Sequence, residues 1–290
     1  MSFQDQLKQR SAEVQSALDG VLVQYGADSV AEGMRYATRG GKRLRGFLVM
    51  ETASLFDVPS AQSRWAAAAI ECIHAYSLVH DDLPCMDDDD LRRGQPTVHK
   101  KWDEATAVLV GDALQTVAFE ILAKPDTSAS ADVRLTLIRT LAEASGAAGM
   151  VLGQAQDIAA ETAGTPLGLD AITELQANKT GALIRWSAEA GAILGESDPE
   201  PLRRYATALG LAFQIADDIL DVEGDEAKTG KRVGKDEDAG KATFVSHLGL
   251  EGARKKAREL VADAIDALSL YSAQADYLRD AAHFVVSRDT

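Results

Sequence analysis

Residues 65–82 read WAAAAIECIHAYSLVHDD, an apolar stretch that ends in two aspartates. Its polar side chains recur every three or four residues and so share one face of an α-helix: Glu71, His74, Ser77 and Asp81. The other positions are mostly apolar, which is typical of a helix buried in a helical core, and His74 is either a core histidine or a ligand contact. Pro84 then ends the helix, so a loop carries the chain to Asp87. The stretch therefore predicts a buried helix that ends in a cluster of carboxylates.

A second stretch with the same pattern lies far along the chain. Residues 211–221 read LAFQIADDILD, in which four polar side chains share one helix face: Gln214, Asp217, Asp218 and Asp221. Carboxylates crowded at the end of a buried helix repel one another and are costly to desolvate, so a cation must offset that cost. Mg²⁺ suits oxygen ligands and often joins protein carboxylates to the phosphates of a substrate. The two clusters together predict a diphosphate held through several Mg²⁺ ions, with Asp88–Asp90 either solvated loop charge or support for the metal ligands.

The rest of the chain predicts an all-α fold. Alanine is abundant, proline and glycine lie mostly between segments, and no alternating strand pattern is found. Helices are predicted over residues 3–25, 28–38, 43–56, 61–82, 104–123, 132–145, 147–163, 170–195, 199–223, 242–272 and 274–287. The two least regular stretches, 83–103 and 224–241, each follow an aspartate cluster and are expected to act as lids. With 290 residues, 46% of them hydrophobic, and no dividing linker, we expect a single domain over residues 1–290.

Composition excludes several kinds of partner. The net charge of −15 argues against a nucleic acid, which would need a basic face. It leaves an anionic substrate open, because metal ions and local basic residues invert the field of a site. The two cysteines, Cys72 and Cys85, have no metal-ligand spacing and indicate a reducing compartment. No signal peptide and no uncharged apolar run of membrane-spanning length is found, so we expect a soluble, cytoplasmic protein without membrane insertion.

Several basic or polar segments have a functional and a plain interpretation. Residues 40–45, Gly-Gly-Lys-Arg-Leu-Arg, either open an ordinary basic helix or bind an anion at the positive end of that helix. Arg92 and Arg93 either balance nearby negative charge or bind phosphate oxygens through the paired N–H donors of their guanidinium groups. Lys179-Thr180-Gly181 places a glycine inside a helical pattern, which indicates close approach of another group to the backbone. Gln154 and Asp157 share a helix face and are candidates for supporting contacts.

Together these motifs resemble the trans-isoprenyl diphosphate synthases, most closely the bacterial farnesyl diphosphate synthases. The resemblance covers nearly the whole chain and rests on an ordered set of motifs: 41–45, His74, 81–87, Arg92-Arg93, Gly111-Asp112, Lys179-Thr180, Phe213-Gln214 and 217–221. It implies an antiparallel helical bundle around a central cavity, a requirement for Mg²⁺ and a homodimer. It also implies a prenyltransferase that joins isopentenyl diphosphate head to tail with dimethylallyl or geranyl diphosphate and releases diphosphate.

The resemblance assigns roles to individual residues of this sequence. Mg²⁺, three ions per active site with diphosphate bound, would be held by Asp81, Asp87, Asp217 and Asp221, with Asp82 and Asp218 in support. The allylic diphosphate would be bound by Arg92, Lys179, Gln214, Lys231 and Lys241, with Thr180 beside the reacting carbon. Isopentenyl diphosphate would be bound by Lys42, Arg45, His74 and Arg93. The catalytic set would be Asp81, Asp82, Asp87, Arg92, Lys179, Thr180, Asp217 and Asp218. Two departures from the family pattern are Gly46, where proline is usual, and Asn178, where histidine is common.

The product is expected to be the fifteen-carbon farnesyl diphosphate. Tyr76 and Ser77 precede Asp81 on the same predicted helix, beside the expected path of the growing prenyl chain. The resemblance implies that the Tyr76 ring forms the floor of the cavity. The alternative interpretation is that Tyr76 is only a residue of the hydrophobic core. The alternative product is geranylgeranyl diphosphate, because enzymes with the same Pro84-Cys85 insertion make it. Two other classes remain open: a terpene cyclase, which needs no second basic diphosphate site, and a non-catalytic partner subunit, which would have lost some aspartates.

Overall fold

The computed structural model describes residues 1–162, 165–223 and 242–287. The chain divides into two compact units, one formed by Met1–Ile138 with Ile193–Ser197 and the other by Arg139–Ala192 with Asp198–Thr290. Each unit is built almost entirely of helices. The predicted all-α fold class is therefore confirmed, whereas the single domain and its central cavity stay predictions.

The first unit is organised around one long helix that ends at the first aspartate cluster. Its helices are α1 (Phe3–Leu22), α2 (Ser29–Ala37), α3 (Leu44–Ser54), α4 (Ser60–Asp81), α5 (Val98–Lys101) and α6 (Glu104–Ala123). Helix α4 packs against α3 and α6, and its run 66–70 is fully buried because alanine side chains let the neighbouring helices approach closely. Ser2, Asp28 and Asp103 cap the amino-terminal ends of α1, α2 and α6 with their side-chain oxygens.

A small β-hairpin lies between α4 and α5. Strands β1 (Leu91–Arg92) and β2 (Gln95–Pro96) pair antiparallel. Their two-residue loop, Arg93-Gly94, has φ of 53° and 72°, the sign that a type I′ hairpin turn requires at both positions. The sequence predicts no strand here, because strands of two residues are too short to show an alternating pattern.

The second unit contains the second aspartate cluster. Its elements are α8 (Met150–Thr162), α9 (Leu169–Gln176), a π-helix (Ala177–Gly181), α11 (Glu200–Glu223), α12 (Phe244–Ala267), a 3₁₀ helix (Ser269–Ala275) and α13 (Asp276–Ser287). Helices α7 (Ala131–Ser145) and α10 (Ala182–Leu194) contribute residues to both units. Helix α11 packs against α12, and the hydroxyl of the buried Tyr205 donates a hydrogen bond to the carbonyl of Leu278 at 2.8 Å.

Two predicted helices differ from the structure in the second unit. The helix predicted over 170–195 is interrupted by the π-helix, because a wide turn of five residues has no composition that distinguishes it from α-helix. The helix predicted over 242–272 ends at Ala267, and within it Gly249 adopts a positive φ of 66° that kinks the chain. Both differences concern local backbone geometry rather than the helical pattern.

In the part of the chain that the structure describes, two helical stretches are long and apolar enough to cross a membrane by length and composition alone. They are Glu104–Ala123 and Ala131–Glu161. In the first stretch 50% of the apolar window is buried inside the protein, as it would be in a core helix. Core helices pass the same test, so these stretches are weak evidence for a membrane segment.

Candidate active site

The first aspartate cluster is built by the end of α4 and the loop that folds back on it. Asp81 is half-buried at the last position of the helix, and Asp82 follows as a buried cap. The backbone N–H of Asp87 donates to the carbonyl of Asp81 at 2.8 Å. This return of the loop brings the Asp87 backbone against the helix end, as the break at Pro84 predicted. Asp87 itself is exposed.

Arg92 holds Asp82 in place across this loop. Its Nε donates to Asp82 Oδ1 at 3.0 Å, a second guanidinium nitrogen bonds the same oxygen, and Asp89 lies 3.6 Å away. Burial raises the pKa of the Asp82 carboxyl, and the bond to Arg92 opposes that rise. Strand β1 fixes the position of Arg92, so the hairpin and the aspartate cluster form one connected structure.

Arg93 lies in the turn of the hairpin and meets the basic loop 40–45. Its Nη1 donates to the carbonyl of Arg39 at 3.2 Å. A Cβ at Gly41 would come within 2.7 Å of the Arg93 Cζ, so only a glycine lets the guanidinium approach this closely. Gly41 also has a φ of 80°, which disfavours any side chain. The structure thereby brings together two basic motifs that lie far apart in the sequence.

The buried carboxylate of Glu71 organises the start of α3. Arg43 precedes that helix in a left-handed conformation with no capping side chain of its own. The N–H of Gly46, in the first turn, donates to Glu71 Oε1 at 2.9 Å, and the guanidinium of Arg43 lies 3.7 Å from the other carboxylate oxygen. Helices leave their first N–H groups without internal partners, so Glu71 supplies from α4 the cap that α3 lacks. The spacing of polar residues predicts Glu71 on the polar face of α4 but indicates no role for it.

His74 lies one turn further along α4, among the arginines. Burial lowers the pKa of His74 well below its usual range, and the positive charges of Arg45 and Arg93 lower it further. The imidazole is therefore neutral near pH 7. The structure brings together His74, Arg45 and Arg93 from three separate segments, and places Lys42 at the exposed end of the same basic loop.

The π-helix positions Lys179 and Thr180 in the second unit. The ammonium of Lys179 lies 2.5 Å from a carboxylate oxygen of Asp157 on α8. The Thr180 hydroxyl donates to Gln214 on α11 at 3.3 Å. Asp157 was only a candidate supporting contact in the sequence, and the structure gives it a specific partner. Single π turns inside α-helices are often found at functional sites.

Two glycines let the neighbouring helices reach the π-helix. A Cβ on Gly153 of α8 would lie 2.1 Å from the backbone nitrogen of Lys179. A Cβ on Gly210 of α11 would lie 3.3 Å from the Cα of Gly181. Gly153 lies one helical turn before Asp157, which binds Lys179. Gly210 lies one turn before Gln214, which binds Thr180. Sequence reasoning missed both glycines, since only their spacing of four from a polar partner could have indicated them.

The second aspartate cluster divides into a buried and a more exposed part. Asp218 is buried and accepts hydrogen bonds from the N–H of Phe244 at 2.8 Å and from Gln214 Nε2 at 3.2 Å. Asp217 and Asp221 are half-buried on the same helix, one turn apart. Asp218 therefore supports the start of α12, while Asp217 and Asp221 have the exposure that a metal ligand needs. Lys231 and Lys241 lie outside the described residues.

One further acidic group lies beside the first cluster. Among the described residues, Asp88, Asp90 and His99 each offer a ligand atom, and these atoms lie within 4.8 Å of one another. This group differs from the predicted ligands Asp81 and Asp87. The ammonium of Lys100 lies 2.8 Å from Asp90 and already compensates part of its charge.

The residues predicted to limit chain length lie on α4. Tyr76 is buried, its ring contacts the His80 ring edge to face at 5.9 Å, and its hydroxyl lies near Gln115 of α6. Burial raises the pKa of the Tyr76 hydroxyl. Ser77 donates to the carbonyl of His74 at 3.0 Å. The role of both residues in product length stays a prediction.

Comparisons with known proteins agree with this arrangement. The polyprenyl synthetase family profile matches residues 28–278. The farnesyl diphosphate synthase of Escherichia coli strain K12 is 47% identical over an alignment of 300 positions, which covers 100% of both chains. The farnesyl diphosphate synthase of Haemophilus influenzae is 46% identical over 263 residues, which cover 89% of this chain and 88% of that relative. A solved FPP/GFPP synthase from Zymomonas mobilis has a TM-score of 0.91 and 49% identity, and the match covers 98% of this chain and 99% of that chain.

The all-α fold with two acidic helix ends and a basic loop is that of an isoprenoid diphosphate enzyme. The chain belongs to the polyprenyl synthetase family. This confirms the resemblance that the sequence motifs indicated.

Proposed function

We propose that the protein is a Mg²⁺-dependent prenyltransferase that makes farnesyl diphosphate. It condenses isopentenyl diphosphate head to tail with dimethylallyl or geranyl diphosphate and releases diphosphate. The observation that carries the proposal is the assembly of His74, Arg45 and Arg93 around the start of α3. A cationic site beside an acidic helix end suits a second diphosphate, which condensation needs and cyclisation does not.

Four aspartates fit the predicted metal. Asp81, Asp87, Asp217 and Asp221 offer only oxygen donors and are exposed or half-buried, so they leave room for the waters and phosphate oxygens that Mg²⁺ retains. When bound, Mg²⁺ neutralises the charge that develops on the departing diphosphate. Asp82 and Asp218 are buried and hydrogen-bonded, so they support the cluster from within the protein. The proposed site holds three Mg²⁺ ions when diphosphate is bound.

The remaining residues bind and orient the two substrates. Lys179, held by Asp157, and Arg92 supply positive charge for the allylic diphosphate, and Lys231 and Lys241 join them in the proposal. In this proposal the Thr180 hydroxyl, which donates a hydrogen bond to Gln214, stabilises the allylic carbon as it becomes cationic. Neutral His74 donates a hydrogen bond to isopentenyl diphosphate and cannot act as a strong acid there. Two anchored diphosphates supply the orientation that a bimolecular reaction requires.

The class of enzyme is tested by one assay. Purified protein is incubated with labelled isopentenyl diphosphate and geranyl diphosphate, with Mg²⁺ or with chelator. Farnesyl diphosphate formed only with the metal supports the proposal. Cyclic products from farnesyl diphosphate alone would indicate a terpene cyclase, and no product without a second protein would indicate a partner subunit.

Farnesyl rather than geranylgeranyl diphosphate is the favoured product, because the relatives at 46–47% identity are farnesyl diphosphate synthases. We propose that Tyr76 sets this length, with Ser77 beside it. Replacing Tyr76 with alanine should give longer products, separated by chain length on reverse-phase chromatography. A farnesyl-only profile in a folded, active variant would place the control of length elsewhere.

We further propose a cytoplasmic homodimer that does not insert into membranes. Val108 and Leu109 on α6 and Leu135 on α7 are large apolar side chains exposed on the first unit. Contiguous exposed apolar surface is typical of interfaces, and we propose that these side chains form part of one. Light scattering coupled to gel filtration gives the mass, and a monomer at working concentration would contradict the homodimer.

A further inference from the structure

The first unit contains a cavity of about 360 Å³ whose lining extends beyond the predicted substrate contacts Arg92 and Arg93. It is bounded by the end of α2, one side of α4, the hairpin and α5. On α4 its lining residues are Ala75, Leu78, Val79 and Asp82. This side of α4 is turned roughly a third of a turn away from His74, Ser77 and Asp81. The volume lies within the range of small-molecule sites, about 300–1,000 Å³. The cavity can therefore take a small molecule beside the predicted isopentenyl diphosphate site.

The charge around the cavity is positive. Arg39, Arg93 and Lys101 line it, and its single carboxylate, Asp82, is already paired with Arg92. Within the described ranges, neither Arg39 nor Lys101 has a carboxylate within ion-pair distance. An anion in the cavity would meet cations whose charge no described carboxylate compensates.

Lys101 is also held in place, by aromatic rings rather than by a carboxylate among the described residues. Its ammonium lies 3.7 Å from the centroid of the Tyr36 ring and 4.8 Å from that of Trp102. The Tyr36 hydroxyl donates to the carbonyl of Pro96 at 2.7 Å, which fixes the ring. An aromatic face attracts an ammonium through its quadrupole and leaves the net charge intact. Lys101 is thus a pre-positioned cation.

We propose that this cavity binds a small amphiphilic anion, meaning a phosphate or carboxylate attached to a short apolar chain. The anion contacts Lys101 and Arg39, and the apolar chain lies against Ala75, Val79 and Val98. Arg39 and Lys101 favour a negatively charged ligand, and the apolar wall favours a ligand that carries an apolar chain. The inference goes beyond the proposed reaction, in which Arg92 and Arg93 of the cavity wall bind substrate but Arg39 and Lys101 have no role.

The test uses geranyl monophosphate, titrated calorimetrically into the full chain in the presence of chelator. Chelator removes metal-bridged binding at the aspartate clusters. Saturable binding is expected, and Lys101→Ala should weaken it about tenfold, the value of one charged hydrogen bond. Lys100→Ala is the matched control, because the ammonium of Lys100 is bound to Asp90 outside the cavity. That variant should change the Kd by less than about twofold, within the range expected when one exposed ion pair is lost.

The ligand chemistry has its own controls. Inorganic phosphate, which lacks the chain, and geraniol, which lacks the charge, should each bind more weakly than geranyl monophosphate. Equal binding of geranyl monophosphate by the unsubstituted protein and by Lys101→Ala would overturn the proposal, as would the absence of saturable binding. Loss of binding in Lys179→Ala but not in Lys101→Ala would place the ligand at the allylic site. Prenyl transfer by each variant shows that it is folded. If Lys101→Ala fails to fold, Arg39→Ala takes its place, and binding equal to that of the unsubstituted protein would again overturn the proposal.

Discussion

Replacing Gly153 with alanine should slow turnover strongly while leaving the protein folded. Gly153 lies on α8 against the π-helix, and an added Cβ would come within 2.1 Å of the Lys179 nitrogen and 2.4 Å of its Cα. These are backbone atoms, so no side-chain rotation relieves the overlap. Asp157, one turn along α8, holds the Lys179 ammonium at 2.5 Å, so a shift of α8 also moves that bond.

The size of the effect follows from this overlap. Ordinary contact begins near 3.4 Å, so α8 and the π-helix must separate by about 1.3 Å. A misplacement of about 1 Å in groups that position a substrate costs on the order of a hundredfold in rate. Overpacking costs roughly 1–3 kcal/mol of stability, and alanine returns about 1 kcal/mol of helix propensity. The variant should therefore stay folded with kcat reduced about a hundredfold.

Steady-state kinetics with each substrate varied in turn gives the measurement. The KM for isopentenyl diphosphate should hardly change, because its predicted ligands belong to the first unit and the π-helix belongs to the second. Gly20→Ala is the matched control, since a Cβ at that exposed position of α1 meets no atom within 4 Å. A kcat for Gly153→Ala within about twofold of the unsubstituted enzyme would refute the reasoning, because a shift of about 1 Å predicts a far larger loss.

Three further predictions concern stability and the basic site. Glu71→Gln keeps an acceptor for the Gly46 N–H but removes the charge that faces Arg43. In steady-state assays the KM for isopentenyl diphosphate should therefore rise several-fold at constant kcat. A fall in kcat alone would contradict this prediction. The low pKa of His74 means that below about pH 6.5 the unfolded chain takes up a proton that the folded protein does not. Urea unfolding should therefore show a stability loss of roughly 1 kcal/mol between about pH 7 and pH 5.5, and His74→Gln should lose less; equal losses would exclude the histidine as the cause. Tyr205→Phe should cost about 1 kcal/mol by the same method, since the buried Leu278 carbonyl loses its donor, and an unchanged midpoint would show that this bond contributes nothing.

Helical periodicity predicted the fold class and the two acidic helix ends. The spacing from Glu71 to Asp81 placed the polar face of α4, and Pro84 placed the loop, because both depend on local geometry. Helices α4 and α11 accordingly lie close to their predicted bounds. The ligand roles of the aspartates stay predictions that only metal binding and kinetics can test.

The contacts that organise the site depend on tertiary structure and were not predictable. The cap that Glu71 provides for α3 joins residues on two helices, and the approach of Arg93 to Gly41 joins a loop to a hairpin turn. The π-helix depends on the room that Gly153 leaves between helices. None of these contacts can be recognised from a regular spacing in the sequence, because residues that meet across two helices are not separated by a fixed number of positions.

Gly46 has a consequence for anyone who engineers this enzyme. Substituting toward the commonest family residue is a usual way to raise thermal stability, and proline in the first turn of a helix is normally favourable. Here the N–H of residue 46 is the donor that the buried Glu71 carboxylate accepts, and proline has no N–H. Gly46→Pro would leave a buried carboxylate oxygen without that donor, a penalty of roughly 1–3 kcal/mol that outweighs the entropic gain of about 1 kcal/mol. A consensus design should therefore keep glycine at this position unless Glu71 is redesigned with it.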